Sequence, residues 1–271
     1  MNQRAKTMTD ASTPKLEPHS RVPAPTETRS VSNNSGDHRG GAAVLHDWDS
    51  IAQSLDAYGN TVLPRLLTAA QCEELAGMYG RADGYRARIV MARHGFGKGE
   101  YKYFAYPLPP LLNELRHALY PSLALIANRW NRQLGSDVHY PATLDEFLER
   151  CHRAGQTRPT PLILEYGEGD YNCLHQDLYG EHVFPLQVTI LLSRPGDDFT
   201  GGEFVMTESH PGHQRAEVVA LHQGDAVAFT VNQRPAPGKR TGARKVAMRH
   251  GVSRIRSGRR HTVGLIFHDA R

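Results

Sequence analysis

The stretch AEVVALHQGDAVAFTV, Ala216 to Val231, sets two runs rich in Val, Ala and Phe on either side of a Gly-Asp turn signal. Each run is too short for a stable helix, and both are rich in residues that suit a pleated sheet. They read as two strands, with HQGD as the hairpin turn between them. The same period of two continues outward in both directions. Upstream lie TPLILEYG (160–167), HVFPLQVTILLS (182–193) and GGEFVMTE (201–208); downstream lie ARKVAMRHGVSRI (243–255) and RHTVGLIFHDA (260–270). No helical pattern separates these runs. A succession of antiparallel strands without crossover helices implies a barrel or a double-sheet jelly roll. Within it, Gly201 and Gly202 read as a tight turn or a close backbone approach.

Before Pro159 the period changes. In DWDSIAQSLDAYG (47–59), Trp48, Ile51 and Leu55 share a helical face that Gly59 terminates. In LTAAQCEELAGMYG (67–80), Thr68 and Gln71 form a capping box, and Cys72 falls on the apolar face. Leu111 to Leu134 reads as two helices broken at Pro121, and a further helix begins at Thr143. Residues 1–43 contain no aromatic residue and many Pro, Ser, Thr, Asn and Gly, a composition that cannot bury enough apolar surface to order itself. The expected organisation is therefore a disordered tail over 1–43 and one domain over 44–271. That domain divides into a helical part, 44–157, and a jelly-roll core, 158–271. The fold class is α+β, with the N-terminal helices packed on one face of the strands.

The 271 residues carry a net charge of +4, and no apolar run approaches the length of a membrane span. The three cysteines, Cys72, Cys151 and Cys173, are odd in number and widely spread, which predicts no disulfide framework and a cytoplasmic setting. Cys173 is expected to be a small buried hydrophobe. From Ala226 to His268 there is no Asp or Glu, while Arg234, Lys239, Arg240, Arg244, Lys245, Arg249, Arg254, Arg256, Arg259 and Arg260 all fall within that stretch. Most of these are expected on the solvated face of hairpins; together they would attract a polyanion or an acidic small molecule.

The chemistry concentrates in EYGEGDYNCLHQDLYGE, Glu165 to Glu181. On an extended segment residues two apart project to the same side, so His175 and Asp177 offer an imidazole nitrogen and a carboxylate oxygen to one divalent metal. A third ligand must come from another strand. His182, His210, His213, His222, His250, His261 and His268 are the candidates, and His250 is the best placed, near the end of one strand and before a hairpin. Two histidines and one carboxylate leave coordination positions open, which suits non-haem Fe(II) better than a closed zinc site. Arg260, on the strand after His250, could clamp a carboxylate with two parallel hydrogen bonds, and Thr262 lies on the same strand face.

Taken in order, YGEGDYNCLHQD, DFTGGEF and RHGVSRIRSGRRHTVGLIFHD resemble the 2-oxoglutarate and Fe(II)-dependent oxygenase superfamily. The longer match, with GEYKYFAYPLP (99–109) and RPTPLILEYGEGDYNCLHQDLYGEHVFPLQV (158–188), resembles a bacterial family described as oxygenases of the nucleic-acid demethylase type. The resemblance implies a double-stranded β-helix, with His175, Asp177 and His250 as iron ligands and Arg260 on the far carboxylate of 2-oxoglutarate. It implies Fe(II), 2-oxoglutarate and O2 as cofactor and co-substrates, with ascorbate as a stimulating reductant. In prolyl-hydroxylase-type members a tyrosine on the strand after H-x-D assists the arginine. The matching position here is Leu191, which leaves Tyr166, Gln187 and Thr189 as candidates for that role. Arg260 stands ten residues beyond His250, a spacing similar to prolyl hydroxylases and shorter than in DNA demethylases of the AlkB type. Three functions stay open on this reading: demethylation of alkylated DNA or RNA, hydroxylation of a protein side chain, amino acid or metabolite, and non-catalytic binding of iron or 2-oxoglutarate.

Overall fold

The computed structural model describes residues 46–271 apart from 179, 211, 212 and 239–241, so the tail reading over 1–43 and two of the basic residues, Lys239 and Arg240, lie outside the described residues. The first helix, α1 (Trp48–Tyr58), starts at Asp47, whose carboxylate accepts from the Asp49 and Ser50 amides, and it buries Ile51 and Leu55. Strand β1 (Asn60–Leu63) follows. In α2 (Ala69–Met78) the Thr68–Gln71 capping box is present, and Cys72 and Leu75 are buried. Next come β2 (Tyr85–Val90), a one-turn helix (Met91–Arg93), β3 (Gly97–Lys98) and β4 (Glu100–Phe104).

Two expectations for this half are corrected. It is not simply helical, because four short strands run through it. And Leu111–Leu134 is one helix, α3 (Pro110–Gln133), with Pro121 inside it. Pro121 lacks the N–H for one intrahelical bond. Its neighbours Leu119, Tyr120, Leu123 and Ala124 are all buried on a continuous face, and that packing holds the two halves in line. Helix α4 (Leu144–Arg153) begins at Thr143, whose hydroxyl accepts from the Glu146 amide. Among the described residues no helix is long and apolar enough to cross a membrane.

The remaining strands are β5 (Leu162–Tyr166), β6 (Tyr171–His175), β7 (Leu186–Leu191), β8 (Phe199–Gly201), β9 (Phe204–His210), β10 (His213–Val219), β11 (Ala226–Thr230), β12 (Gln233–Pro237), β13 (Ala243–Val252), β14 (Ile255–Gly258) and β15 (Arg260–Leu265). One sheet has the order β1-β11-β7-β15-β5-β4-β2 and the other β10-β9-β13-β6-β3, with β12 added on β13 and a small β14-β8 pair. The chain passes repeatedly from one sheet to the other: β5, β7, β11 and β15 lie in the first, and β6, the β9–β10 hairpin and β13 in the second. That alternation is the jelly roll.

It also corrects the reading of HQGD. Strand β10 pairs with β9, and β11 pairs with β7 and β1. His222–Asp225 is therefore a turn that carries the chain between sheets, not a hairpin. It is held by the Gly224 amide donating to Leu191 O at 2.8 Å and the Leu67 amide donating to Gly224 O at 3.1 Å. Hydrophobic alternation identifies a strand and its faces but carries no information about which strand lies beside it.

The alternation produces two cores. Ala226, Ala228, Val188, Ile190, Val263 and Leu265 face outward from the larger sheet onto Tyr120, Leu123, Trp130 and Phe147 of the helices. Val227 and Phe229, one residue out of phase with Ala226 and Ala228, face inward with Phe204, Met248 and Tyr166 between the sheets. The molecule is thus α+β, with the helices on one face of a jelly roll.

The chain end is fastened to the helical layer by charge. Asp269, read from the sequence only as a neighbour of His268, is fully buried, lies 3.5 Å from the equally buried Arg116, and also meets His152 and the Tyr106 hydroxyl, each at 2.9 Å. Removing one member of such a pair strands the other charge in an apolar setting. Arg116→Leu is expected to lower unfolding free energy by about 3–5 kcal/mol. Adding Asp269→Leu should recover much of that loss. Urea titrations of the single and double variants check both.

Candidate active site

The register of β13 on β6 makes His250 the Cα partner of His175. Two imidazoles that are distant in sequence are thereby fixed on adjacent strands, with ring centroids 4.2 Å apart. Asp177 sits just past the end of β6. One carboxylate oxygen lies 3.5 Å from His175 Nε2 and the other 3.4 Å from His250 Nε2. Among the described residues, these three offer ligand atoms that all lie within 4.8 Å of one another. Among the candidate histidines whose side chains are described, His250 is the one that comes to the H-x-D pair. His261 turns to the opposite face of β15, where its Nε2 meets Glu165 at 2.9 Å. His222 pairs with Asp225, and His268 accepts the Phe184 amide in the helical core.

Each ligand is oriented by its surroundings. His175 Nδ1 is 2.8 Å from the Cys173 carbonyl, a contact that orients the ring and turns Nε2 toward Asp177. Cys173 itself is exposed, not buried as expected; its backbone serves the site while its side chain points to solvent. His250 is buried between the rings of Phe204 and Phe229, at centroid distances of 6.0 and 4.6 Å. Burial pushes its imidazole below the ordinary value. Burial also works against ionisation of Asp177, but the two imidazoles outweigh it and hold the carboxyl well below the usual range. The cluster is thus held as a carboxylate with imidazole nitrogens aimed at it. His175 is 33% exposed in its side chain and His250 only 8%, so the centre opens on the His175 side.

From there a cavity of about 270 Å³ runs between the sheets. Arg260, Thr262 and Gly264 line it from alternate positions of β15, Gln187 and Thr189 from β7, and Tyr166 from β5. Arg260 is 1% exposed, and its guanidinium has no carboxylate partner among the described residues. Its Nε and Nη1, the Tyr166 hydroxyl and Gln187 Nε2 are all buried without a hydrogen bond. Arg260 and Tyr166 are Cα partners across β15 and β5, and the guanidinium lies 5.8 Å from the Tyr166 ring centroid. Desolvation draws the Arg260 pKa down to about 10. Its neighbour Arg259 points the other way, is exposed, and pairs with Glu165 at 3.1 Å.

A buried cation surrounded by unsatisfied donors is costly for the chain alone. The arrangement fits a carboxylate, which accepts from several donors at once. The residues therefore suit both implied groups. The two-histidine, one-carboxylate set has the donor chemistry of a non-haem Fe(II) site, and the orphaned donors around Arg260 suit the far end of a dicarboxylic acid. Leu191, the position aligned with the assisting tyrosine, is buried in the inter-sheet core. Tyr166 stands instead directly beside the arginine.

Tyr101 and Tyr103 also line the cavity, with ring centroids 5.3 Å apart. They come from β4, outside the strand run read as the core. The alternation in EYKYF (100–104) already put both on one face. Among the described residues, not every cation of the acid-free block lies on the surface. Arg234 is buried and ion-paired with Glu208 at 2.5 Å, while Lys245 and Arg249 project outward from β13.

A family model described as "Oxygenase, catalysing oxidative methylation of damaged DNA" matches residues 99–270. Two uncharacterised proteins from two strains of Mycobacterium tuberculosis are 51% identical over 168 residues, which is 62% of this chain and 72% of theirs. Among solved structures, a prolyl-4-hydroxylase of Pseudomonas putida superposes with a TM-score of 0.50 at 15% identity, covering 83% of this chain and 99% of that one.

If Arg260 is an unneutralised buried cation, an apolar side chain of similar length should relieve the protein alone. Arg260→Met is expected to raise unfolding free energy by about 1–4 kcal/mol in ligand-free protein. A lower urea midpoint than wild type would mean that the guanidinium is satisfied by contacts of its own.

Proposed function

The chain belongs to the Oxygenase-NA family, and on that premise we propose that it is a 2-oxoglutarate- and Fe(II)-dependent dioxygenase acting on alkylated nucleic acid by oxidative demethylation. The observation that carries the reaction class is the pairing, within one cavity, of the His175–Asp177–His250 cluster with the unpartnered Arg260. Residues 44–271 act as one oxygenase domain. Its three free cysteines favour the reducing cytoplasm.

His175 Nε2, His250 Nε2 and an Asp177 oxygen would hold the iron. Bound Fe(II) would couple the oxidative decarboxylation of 2-oxoglutarate by O2 to insertion of oxygen into a substrate C–H bond. Arg260 would grip the far carboxylate of 2-oxoglutarate through two of its N–H groups. The Tyr166 hydroxyl, Thr262 and the Gln187 amide would complete that cradle. These donors sit at fixed strand positions, so the co-substrate is oriented by side chains that need little rearrangement. Phe204 and Phe229 keep water from the His250 side of the centre. Hydroxylation of an N-methyl group yields a hemiaminal, which releases formaldehyde and the repaired base. The aromatic cavity wall of Tyr101 and Tyr103 suits a flat ring better than an extended polypeptide.

Hydroxylation of a protein side chain is the second reading, favoured by the ten-residue spacing from His250 to Arg260. Succinate and formaldehyde, measured together with Fe(II), ascorbate, 2-oxoglutarate and O2, separate the two. Methylated single-stranded DNA is expected to raise both in step. Succinate without formaldehyde, unaffected by DNA, would move the assignment to the second reading. His175→Ala should abolish both products. Arg260→Met should raise the KM for 2-oxoglutarate by at least roughly a hundredfold through loss of two charge-assisted hydrogen bonds.

A further inference from the structure

The loop between β2 and β4 contributes no ligand to the metal cluster and no donor to the Arg260 cradle, yet it is firmly held. Its ends are joined by the Met91 amide donating to Gly99 O at 3.0 Å. Met91 is 1% exposed and anchored in the inter-sheet core. The middle of the loop lies on the strand that carries His175: Gly97 and Lys98 pair with Asn172 and Tyr171, and the Cys173 amide donates to Phe96 O at 2.9 Å. Gly97 has φ +123°, and a Cβ there would stand 2.4 Å from Tyr171 O, so the backbone lies flush on β6.

What this fixed loop displays is a pair of rings. His94 and Phe96 stack with centroids 5.4 Å apart and an interplanar angle of 21°. Phe96 lines the cavity and is nevertheless 46% exposed. A phenylalanine left half in water on a rigid backbone forgoes part of the roughly 1.5–3 kcal/mol that full burial would contribute. Cations stand on either side of the pair in the same loop: Arg93, and Lys98, 3.8 Å from Asp170. Tyr171, opposite Lys98, is 41% exposed and adds a further aromatic surface.

We propose that the His94–Phe96 pair is a stacking platform at the cavity mouth, on which the nucleobase next to the modified one rests while the modified base enters the cavity. This rests on the nucleic-acid reading above and specifies how the strand is held. A base offers a flat π face that stacks on an aromatic ring whatever its identity, and the flanking phosphates take the cations. The platform therefore recognises a single strand and not a particular sequence.

The test uses the full chain without oxygen, with Fe(II) and 2-oxoglutarate present, and a single-stranded oligonucleotide carrying 2-aminopurine beside a methylated adenine. Wild type is expected to quench the 2-aminopurine fluorescence. Phe96→Ala should bind roughly 5- to 150-fold more weakly and lose the quenching, the range set by one lost stacking contact. Phe96→Trp, which keeps a stacking ring, should restore both. Unfolding curves and 2-oxoglutarate titrations on each variant separate these losses from damage to the fold or the cradle. Affinity and quenching in Phe96→Ala equal to wild type would overturn the platform and leave the nucleic-acid substrate standing. A wild type that ignores the oligonucleotide but forms succinate with a peptide would overturn both.

Discussion

The pairing of β6 with β13 is the constraint on which everything else turns. It sets His175 opposite His250, and a shift by a single residue would send one imidazole to the outer face of the sheet. The register is fixed by what surrounds it. On β13 the buried residues Val246, Met248 and His250 alternate with exposed Lys245, Ala247 and Arg249, so slippage would bring charge into the core. Beyond His250 the ladder is irregular, and the next paired residues are Val252 and Asn172. That irregularity lies on the N-terminal side of His175, where β6 carries one residue more than β13 between the paired positions.

Two kinds of polar burial coexist in this fold and behave differently. The Arg116–Asp269 pair is closed: each charge has its opposite, and the result is attachment of the chain end. Arg260 is open: it is equally buried, but its neighbours are rings and unsatisfied donors. The first arrangement holds structure, and the second has no carboxylate of its own among the described residues. That difference in counter-charge sets the arginine proposed to bind apart from the one paired within the fold, even though both are buried.

Much of this could be read in the residues. The candidate metal ligands could be singled out because strand parity and chain order constrain them together, and parity together with the SGRRHT context favours Arg260 over Arg259. The strands were legible as strands because alternation is local. Their partners were not, which is why HQGD read as a hairpin. Pro121 misled because an isolated proline is a helix breaker only where packing does not hold the helix on both sides. The sequence placed Cys173 near the site but could not show that it faces outward. Tyr101 and Tyr103 were visible as a same-face pair, but nothing local tied β4 to a cavity built by strands sixty or more residues later.

The place of β15 in the larger sheet has a further consequence, for biosynthesis. It is made after both of its neighbours, yet it lies at the centre, between β5 and β7. As the chain emerges N-terminus first, β5 and β7 have no shared partner and each presents an unpaired edge. The sheet can close only when β15 has left the ribosome. Until then the nascent protein is a split structure with aggregation-prone edges, and neither the Arg260 cradle nor a completed cavity exists. Any truncation that removes β15 thus leaves an open sheet and not a smaller oxygenase.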